Sequence, residues 1–326
     1  MRRTGLIAAA ALMLSAWAPG ARAEDAPLQV YGNLQTIELA PVLYAADEFS
    51  ADPVEVKMGG IPNLVGEPTV PGFGEEGVAD VATHAETQAL RYSVRHPNLR
   101  IILNVSEGLY RIVARRSAGI ASVSDLKGKR VATIAATSSG YFLQRMLERA
   151  GLGFDDITAV PITPLSGMTE ALVKGDVDAV VIWEPESENS AQALGDDLIE
   201  FPGEGVYREL FNLNTTAENL ADPAKRAKIV RFVYAILFAS DAIKTDPAKA
   251  QALVEQTGGF SAEDVRDSWR HHRFTADIPA DLLDVLEQEE MWLAARDDRP
   301  ARSREQLATL IDTSVFDEAV ALAGAE

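Results

Sequence analysis

The stretch RVATIAATSSGYFLQRMLERAG, residues 130–151, contains the signal of a strand and the signal of a helix, with one polar turn between them. Residues 130–136 are mostly small or β-branched, and over residues 142–150 the apolar side chains recur at helical spacing. The Thr-Ser-Ser-Gly turn can begin the helix, and Gly151 can end it, because glycine tolerates the left-handed conformation that follows many helices. The stretch therefore predicts a β-strand followed directly by an α-helix.

The same alternation continues to the end of a third strand. Residues 157–162 predict a second strand, residues 166–175 a second helix, and residues 178–183 a third strand rich in apolar residues. Strands joined through single helices imply a parallel sheet with right-handed crossovers, and such sheets bind ligands at the carboxyl ends of their strands. The turn at residues 137–141 and the segment at residues 183–185 are therefore expected on one rim.

Several short motifs around this unit resemble one family of proteins. They are SAGI at 117–120, DLKGKRVA at 125–132, GDVDA at 175–179 and WEP at 183–185. Their order and spacing are similar to those of bacterial solute-binding proteins of nitrate, sulfonate and taurine ABC importers, a family that includes binders of thiamine-type pyrimidines. The resemblance is clear over about residues 100–200. It implies that the chain has an α/β fold of the two-lobe, type II periplasmic binding class, with two crossover strands and a helical C-terminal region.

The N-terminal 23 residues predict a secretory signal peptide. Two arginines, an apolar run over residues 6–14 and the end Ala21-Arg22-Ala23 fit such a signal, by either the Sec or the twin-arginine route. Cleavage after Ala23 and a periplasmic product are therefore expected. The remaining chain is expected to form a first lobe over residues 24–113, a second lobe over 114–205, and a return to the first lobe with C-terminal helices over 206–326.

Composition limits the compartment and the partners. The chain has no cysteine, so neither disulfides nor a lipid-modified cysteine anchor is expected. Its 49 acidic and 30 basic residues give a formal charge of −19, and such a surface repels nucleic acid and anionic lipid. We expect a monomer that is free in the periplasm and has no nucleic-acid partner.

The turn after the first strand of the unit is the strongest candidate site. Backbone N–H groups at a helix N-terminus, together with neighbouring hydroxyls, can hold an anion or a polar head group, although a serine there can also act only as a cap. Trp183 could stack on a flat ligand or fill the gap between lobes, and Glu184 could accept from a ligand or pair with a nearby arginine. The predicted contacts of the second lobe are Thr137, Ser138, Ser139, Tyr141, Trp183 and Glu184.

In the first lobe, the segments that follow predicted strands are expected to border the same cleft. The predicted contacts there are Asn33, Gln35, Thr36, Glu38, Thr83, His84, Glu86, Glu107 and Asn214. Convergence of these glutamates and Glu184 would favour a cationic, amine-bearing or multiply hydroxylated solute, whereas Arg111 could instead bind an acid group. The stretch at residues 59–77, with six glycines and three prolines, predicts no regular element and is either a lid or a surface excursion.

No motif predicts an enzyme. The four histidines lack metal spacing, and no nucleophile elbow, P-loop or dinucleotide fingerprint is present, so no catalytic residue, cofactor or metal is expected. The resemblance implies a binding protein that captures a small polar solute by hinge closure and delivers it to an inner-membrane ABC permease. The alternatives are a periplasmic sensor for a signalling receptor and an exported enzyme on the same fold.

Overall fold

The computed structural model describes residues 26–69 and 72–324, so the predicted signal peptide lies outside the described residues. The strands in these ranges are β1 Leu28–Gly32, β2 Val54–Met58, β3 Val81–Ala85, β4 Leu99–Gly108, β5 Arg111–Arg115, β6 Arg130–Ala132, β7 Thr158–Val160, β8 Ala179–Val180, β9 Leu198–Pro202, β10 Glu209–Thr216 and β11 His272–Arg273. The predicted strand-helix-strand-helix-strand unit is confirmed, with shorter strands than expected.

Helices follow most strands and make up the C-terminal third. The α-helices are α1 Ala40–Tyr44, α2 Ile61–Val65, α3 Glu86–Ser93, α4 Ser138–Arg149, α5 Gly167–Lys174, α6 Glu186–Leu194, α7 Ala217–Ala221, α8 Pro223–Thr245, α9 Ala248–Gly258, α10 Ala262–Ser268, α11 Leu282–Arg296, α12 Arg304–Ala308 and α13 Ser314–Ala323. None of these helices is long and apolar enough to span a membrane.

The strands form two sheets. The first has the order β11-β4-β10-β3-β1-β2, and the second has the order β7-β6-β8-β5-β9. In the second sheet β6 pairs in parallel with both β7 and β8, as the alternation of strands and helices predicts. The chain passes between the sheets twice, so the predicted pair of crossovers is present.

The first change of sheet is earlier than the predicted lobe boundary after residue 113. Strand β4 ends at Gly108, and Arg111 of β5 already pairs with Pro202 of β9 in the second sheet. The crossing segment is therefore Leu109-Tyr110, and residues 203–208 form the return. Tyr110 packs against Tyr207 with ring centroids 5.8 Å apart, so the two connections contact each other.

Each sheet has its own apolar core. In the second half, α4 buries Phe142, Leu143 and Leu147 completely against strands β5, β6 and β8, which explains the helical spacing of these residues. In the first half, the long helix α8 covers the sheet, with Asp222 Oδ1 accepting a hydrogen bond from Ala224 N–H at its N-terminus. Burial of this apolar surface is the main stabilising contribution to each half.

Two element boundaries correct the sequence predictions. Residues 59–77 contain the helix α2, which begins at a Gly-Ile-Pro sequence where Gly60 N–H donates to Asn63 Oδ1 at 3.1 Å. Strand β3 runs to Ala85, because it pairs with β1 and β10, so residues 83–85 are extended and α3 begins only at Glu86. The prediction that residues 59–77 contain no regular element is therefore wrong over residues 61–65, and Thr83 and His84 lie within a strand and not in a segment that follows it.

Candidate ligand-binding cavity between the two sheets

A cavity of about 310 Å³ lies between the halves and is lined by both of them. The second half contributes the turn after β6, at residues 134–138, and Trp183 after β8. The first half contributes the segment after β1, at residues 33–38, and the segment after β2, at residues 59–63. The cavity thus lies at the carboxyl ends of strands from both sheets, where ligands of α/β sheets bind.

Seven of the fifteen residues predicted as ligand contacts line this cavity. They are Asn33, Thr36, Glu38, His84, Thr137, Ser138 and Trp183. Eight others lie outside the lining, namely Gln35, Thr83, Glu86, Glu107, Ser139, Tyr141, Glu184 and Asn214. The sequence thus located the cavity segments correctly in the chain, but not the direction of every side chain.

Several of the eight are engaged by the protein's own groups. The Asn214 amide donates to the carbonyl oxygens of Ala82 and Asn212, both at 3.1 Å, because Asn214 lies inside β10 and not after it. Glu107 lies 3.2 Å from the Arg208 guanidinium. These side chains stabilise the first half.

Four others, namely Gln35, Thr83, Ser139 and Tyr141, lie outside the cavity lining because of their local surroundings. Gln35 is exposed, and the buried Thr83 faces the neighbouring strand at Gly32, where an added Cβ would lie 2.5 Å from the Thr83 hydroxyl. Ser139 Oγ lies 2.9 Å from the Thr137 hydroxyl. Tyr141 packs its ring 5.2 Å from that of Trp292.

The turn before α4 presents polar groups to the cavity. The first helical hydrogen bond is donated by Tyr141 N–H to Thr137 O at 3.1 Å, so the N–H groups of residues 138–140 precede it. Thr137 and Ser138 do not cap the helix with their side chains. Thr137 Oγ1 donates to Ile134 O at 2.8 Å, and Ser138 Oγ lies 2.9 Å from the Tyr110 hydroxyl.

A close backbone approach shapes the same turn. A Cβ on Gly140 would lie 2.3 Å from Ala135 O and 2.5 Å from the Ala135 carbonyl carbon. Backbone atoms cannot move aside as the end of a flexible side chain can, so this position requires glycine. The sequence signal was the glycine directly after two serines.

Arg111 does not face the cavity, which corrects the expectation that it could bind an acid group. It is 4% exposed and forms an ion pair with Glu184, another with Glu188 at 2.7 Å, and a third with Glu200 at 2.5 Å. For Glu184, the alternative of pairing with a nearby arginine is therefore the one observed.

The pKa of Glu188, a member of this cluster, is lowered by its partners. Burial opposes its ionisation, but a hydrogen bond from His271 and the charges of Arg111 and Arg270 together lower the pKa of Glu188 to about 2. The cluster joins β5, α6 and β9 of the second half, and each of the three guanidinium nitrogens of Arg111 donates to a glutamate of this cluster. Its function in the fold is to stabilise the second half.

Two carboxyl groups, those of Glu38 and Glu209, line the cavity side by side. Glu209 lies opposite Gly108 in the pairing of β10 with β4. A Cβ on Gly108 would lie 2.8 Å from Glu209 Oε2 and 3.1 Å from Glu38 Oε1, so both carboxylates crowd one point. Burial, and then the negative charges of Glu38 and Glu86, raise the pKa of Glu209 well above its ordinary value.

More buried acids lie behind this pair. Glu86 accepts from the Tyr207 hydroxyl at 2.6 Å and from Leu210 N–H at 3.0 Å. Burial raises the pKa of Glu86, and burial together with the charge of Glu86 raises the pKa of Glu289. Both groups are completely buried and lie outside the cavity lining.

Sequence reasoning missed most of the first-half wall. It named neither Glu209 nor the lining residues Phe73, Arg91, Tyr92 and Phe211. A glutamate directly before the apolar residues Leu210 and Phe211 of a strand was the available signal for Glu209. The other four gave no signal, because aromatic and charged residues on a helix, on a strand or in a loop are common at surfaces and in cores alike.

The cavity also contains one histidine and one arginine. Burial, and then the charge of Arg91, lower the pKa of His84 to about 4, so the imidazole is neutral near pH 7. Arg91 donates to Gln88 Oε1 at 3.4 Å and lies 5.8 Å from the centroid of the Tyr92 ring. Over the described ranges, no group of three or more histidine or acidic side chains is arranged to hold a metal ion.

Two sheets, two connections and a cavity at the strand ends are the features of the two-lobe periplasmic binding proteins, the predicted fold class. A family model described as NMT1/THI5 like matches residues 68–250, and the chain belongs to that family. The recognition made from the motifs at residues 117–185 is thereby confirmed. The match includes both connections and most of the cavity lining.

A related sequence and two solved structures agree with this assignment. The chain is 40% identical over 74 residues to a protein of Escherichia coli strain K12 named "Putative aliphatic sulfonates-binding protein", and this segment is 23% of either chain. The match therefore spans about a quarter of the length of that relative.

The solved structures cover nearly the whole chain at low identity. The alkanesulfonate-binding protein of Xanthomonas axonopodis pv. citri, bound to MOPS, is 19% identical, with a TM-score of 0.67 over 89% of this chain and 99% of that one. The desulfurization enzyme DSZB is 16% identical, with a TM-score of 0.64 over 91% of this chain and 99% of its own. At these identities the comparisons establish the fold.

Proposed function

We propose that the protein is the periplasmic solute-binding component of an ABC importer, which captures a small polar solute and delivers it to an inner-membrane permease. The main support for this function is the cavity of about 310 Å³, which is lined by both halves next to the two connections. A solute there contacts both sheets at once, so it stabilises the arrangement in which the halves are close. Membership of the family and the names of the sulfonate-binding relatives support the same function.

The mechanism is a hinge closure about the two connections. Thr137 and Ser138, with the N–H groups at the start of α4, would hold a polar group of the solute, and Trp183 would cover its flat face. From the first half, the contacts would come from Asn33, Thr36, Glu38 and His84. Each of these roles is binding, so the solute leaves the protein chemically unchanged.

The solute class in this proposal is broad. It includes sulfonates, nitrate and taurine-like molecules, as well as pyrimidines and other amine-bearing compounds. A cavity of about 310 Å³ suits a small molecule, since ligand pockets begin near 300 Å³. The protein would act as a monomer in the periplasm after cleavage of the signal peptide after Ala23. The mass of the chain recovered in a periplasmic extract would test the cleavage and the compartment.

A thermal-shift screen tests binding. Sulfonates, nitrate, amino acids, polyamines, pyrimidines and aromatic acids are each added to the purified protein, because a solute bound only by the folded state raises the unfolding midpoint. One class should raise it, and Trp183→Ala and Ser138→Ala should remove the effect. Val173→Ala, at an exposed position in α5, is the matched control and should leave the shift unchanged.

Two further measurements separate this proposal from its alternatives. Small-angle X-ray scattering should show a smaller radius of gyration with the solute bound, and mass spectrometry should recover the solute unaltered. A chemically altered solute would establish an enzyme on this fold, as DSZB is. Binding without any stimulation of a cognate permease's ATPase activity would instead favour a sensor.

A further inference from the structure

The cavity contains a subsite whose polar atoms accept hydrogen bonds. Glu209 is 4% exposed, and among the described residues no group donates to its Oε2 atom. Thr36 is 2% exposed, and its hydroxyl likewise has no partner there. Both residues line the cavity with Glu38, so an acceptor-rich surface faces the space where a solute binds.

An unpartnered carboxylate oxygen in a buried position is costly unless a ligand supplies the missing donor. The carboxylates of Glu38 and Glu209 both approach Gly108, so they lie close together, and because both line the cavity one donor-bearing group of a solute could contact both. A sulfonate or carboxylate there would place a further negative charge beside the pair. A protonated amine or an amidinium would neutralise charge and satisfy the free oxygen.

The rest of the wall suits the body of such a solute. Aromatic side chains from both halves line the cavity, namely Phe73, Tyr92, Trp183 and Phe211. Their rings offer apolar contact to a flat group, and ring faces attract cations. Arg91 is the single arginine or lysine in the described lining, and it already contacts Gln88 and the Tyr92 ring.

We infer that Glu38, Glu209 and Thr36 form a subsite for a cationic nitrogen group, and that the solute is a small flat molecule bearing an amine or amidine. This inference rests on the proposed solute-binding function and narrows its solute class. The inferred solute is a cation, whereas the names of the sulfonate-binding relatives suggest an anion. Glu209 is the residue that determines this preference.

Release of a proton from the carboxyl pair when the solute binds is a second measurable consequence. Because the pKa of Glu209 is raised, the empty protein holds a proton in the carboxyl pair at pH values where an ordinary glutamate is ionised. A cation that binds there favours the ionised pair and releases this proton, so its affinity rises with pH until the pair is ionised without ligand. An anion would require a protonated pair, and its affinity would fall with pH.

Other charged or titratable groups contribute to the same field. On the elements around the pair they are Glu86, Tyr110, Tyr207, His272 and Glu289, with His84 and Arg91 in the cavity wall. Glu86 and Glu289 have raised pKa values, so they hold protons that an ordinary glutamate has lost, and His272 Nε2 lies 3.6 Å from Glu38 Oε1. The preference for a cation therefore depends on Glu38 and Glu209 themselves.

The experiment compares three probes of similar shape, namely benzamidinium, benzamide and benzenesulfonate, by isothermal titration calorimetry from pH 6 to pH 8. Benzamidinium is expected to bind at least tenfold more tightly than either other probe. Its affinity should rise by up to about tenfold per pH unit, with protons released to the buffer. Glu209→Gln should reduce the preference for the cation by tenfold or more, and Glu38→Gln provides a second test if the first variant does not fold.

Glu289→Gln is the matched control, because it changes a buried acid of the same network that lies outside the cavity lining; it should keep the preference for benzamidinium. Tighter binding of benzenesulfonate, proton uptake, or binding of none of the three probes would each overturn the inference. In the first two cases the solute-binding function would stand with an anionic cargo. In the third, that function is decided independently by the solute screen.

Discussion

Arg111 is a buried cation shared by three carboxylates. The sequence placed it next to a cleft segment, whereas in the structure it lies beneath that segment and binds Glu184, Glu188 and Glu200. Buried ion pairs add little compared with apolar packing, but removal of one partner leaves a charge buried without compensation. Arg111 is therefore a residue of stability and not of solute binding.

We expect Arg111→Ala to lower the free energy of unfolding by about 3–5 kcal/mol, because buried carboxylates lose their counter-charge. Urea denaturation measures this change. Arg145→Ala is the control, since Arg145 pairs with Glu148 at the surface, where such pairs contribute about 0–1 kcal/mol. Equal losses in the two variants would contradict this account of Arg111.

The turn at the start of α4 shows how an element can depend on one missing side chain. The helix begins where the chain folds back against Ala135, and Gly140 has no Cβ to collide with that carbonyl group. The cavity lining at residues 136–138 belongs to the same turn. The geometry of the proposed binding turn and the stability of α4 are therefore coupled.

Gly140→Ala should destabilise the protein by about 1–3 kcal/mol, the range for steric overpacking, and should also weaken solute binding because the turn must shift. Thermal unfolding with and without solute measures both effects. At Gly153 a Cβ would have its nearest neighbour at 4.0 Å, so Gly153→Ala should have little effect on either quantity. Unchanged binding in Gly140→Ala would show that the turn does not hold the solute.

Helix α11 connects the two halves. It packs against α3 of the first half, while Trp292 contacts Tyr141 of α4 and the Arg296 guanidinium donates to Ala135 O. These contacts require the halves to be close together. The C-terminal region therefore contributes to the closed arrangement as well as to the first half.

Trp292→Ala should weaken solute affinity about 2- to 12-fold, since an aromatic pair contributes about 0.5–1.5 kcal/mol and its loss reduces the closed population. Calorimetric titration of the solute measures this effect. Phe238→Ala is the control, because Phe238 pairs with Tyr234 within the single helix α8, at a centroid distance of 4.8 Å, and cannot bridge the halves. A similar loss of affinity in both variants would contradict the bridging role.

At the scale of the whole molecule, ionisable groups limit stability on both sides of mildly acid pH. The pKa of His84 is lowered to about 4 and the pKa values of Glu188 and Glu290 to about 2, so the unfolded chain binds more protons as pH falls. Glu86, Glu209 and Glu289 have raised pKa values, so the folded chain retains protons that the unfolded chain releases above pH 4.5. The residues with lowered pKa values reduce stability as pH falls below 6.5. The residues with raised pKa values reduce it as pH rises above 4.5.

We therefore expect the free energy of unfolding to be greatest at about pH 5 and to fall on either side, because above this pH the three buried acids outweigh the single histidine. Urea denaturation from pH 3 to pH 9 measures this profile. Glu209→Gln should flatten the alkaline side, because the variant has no proton to lose there. Glu148→Gln changes an exposed glutamate and should leave the profile unaltered, whereas an alkaline side equally steep in both variants would rule out the buried acids as its cause.

The sequence predicted the fold well because its signals act over short distances. The period of the apolar residues in α4, the Thr-Ser-Ser-Gly turn at its start and Gly151 after its end each operate within a few residues. Element ends were less predictable where pairing decided them, as at β3, which extends to Ala85 because β10 lies beside it. The family motifs supplied the two-lobe class and its two crossover strands.

By itself, the sequence determined the class of the protein, the elements of the second half and the segments that border the cavity. The alternation of strands and helices and the residues at helix ends are local patterns that a sequence shows directly. Only the tertiary structure decided which side chains of those segments face the cavity. Glu209 meets Glu38 because β10 pairs with β4 in a register that opposes Glu209 to Gly108. Arg111 is neutralised because β9, α6 and the segment that precedes α6 each bring one glutamate to it. Both outcomes depend on contacts between residues about 70 to 170 positions apart, for which no local pattern in the chain provides a signal.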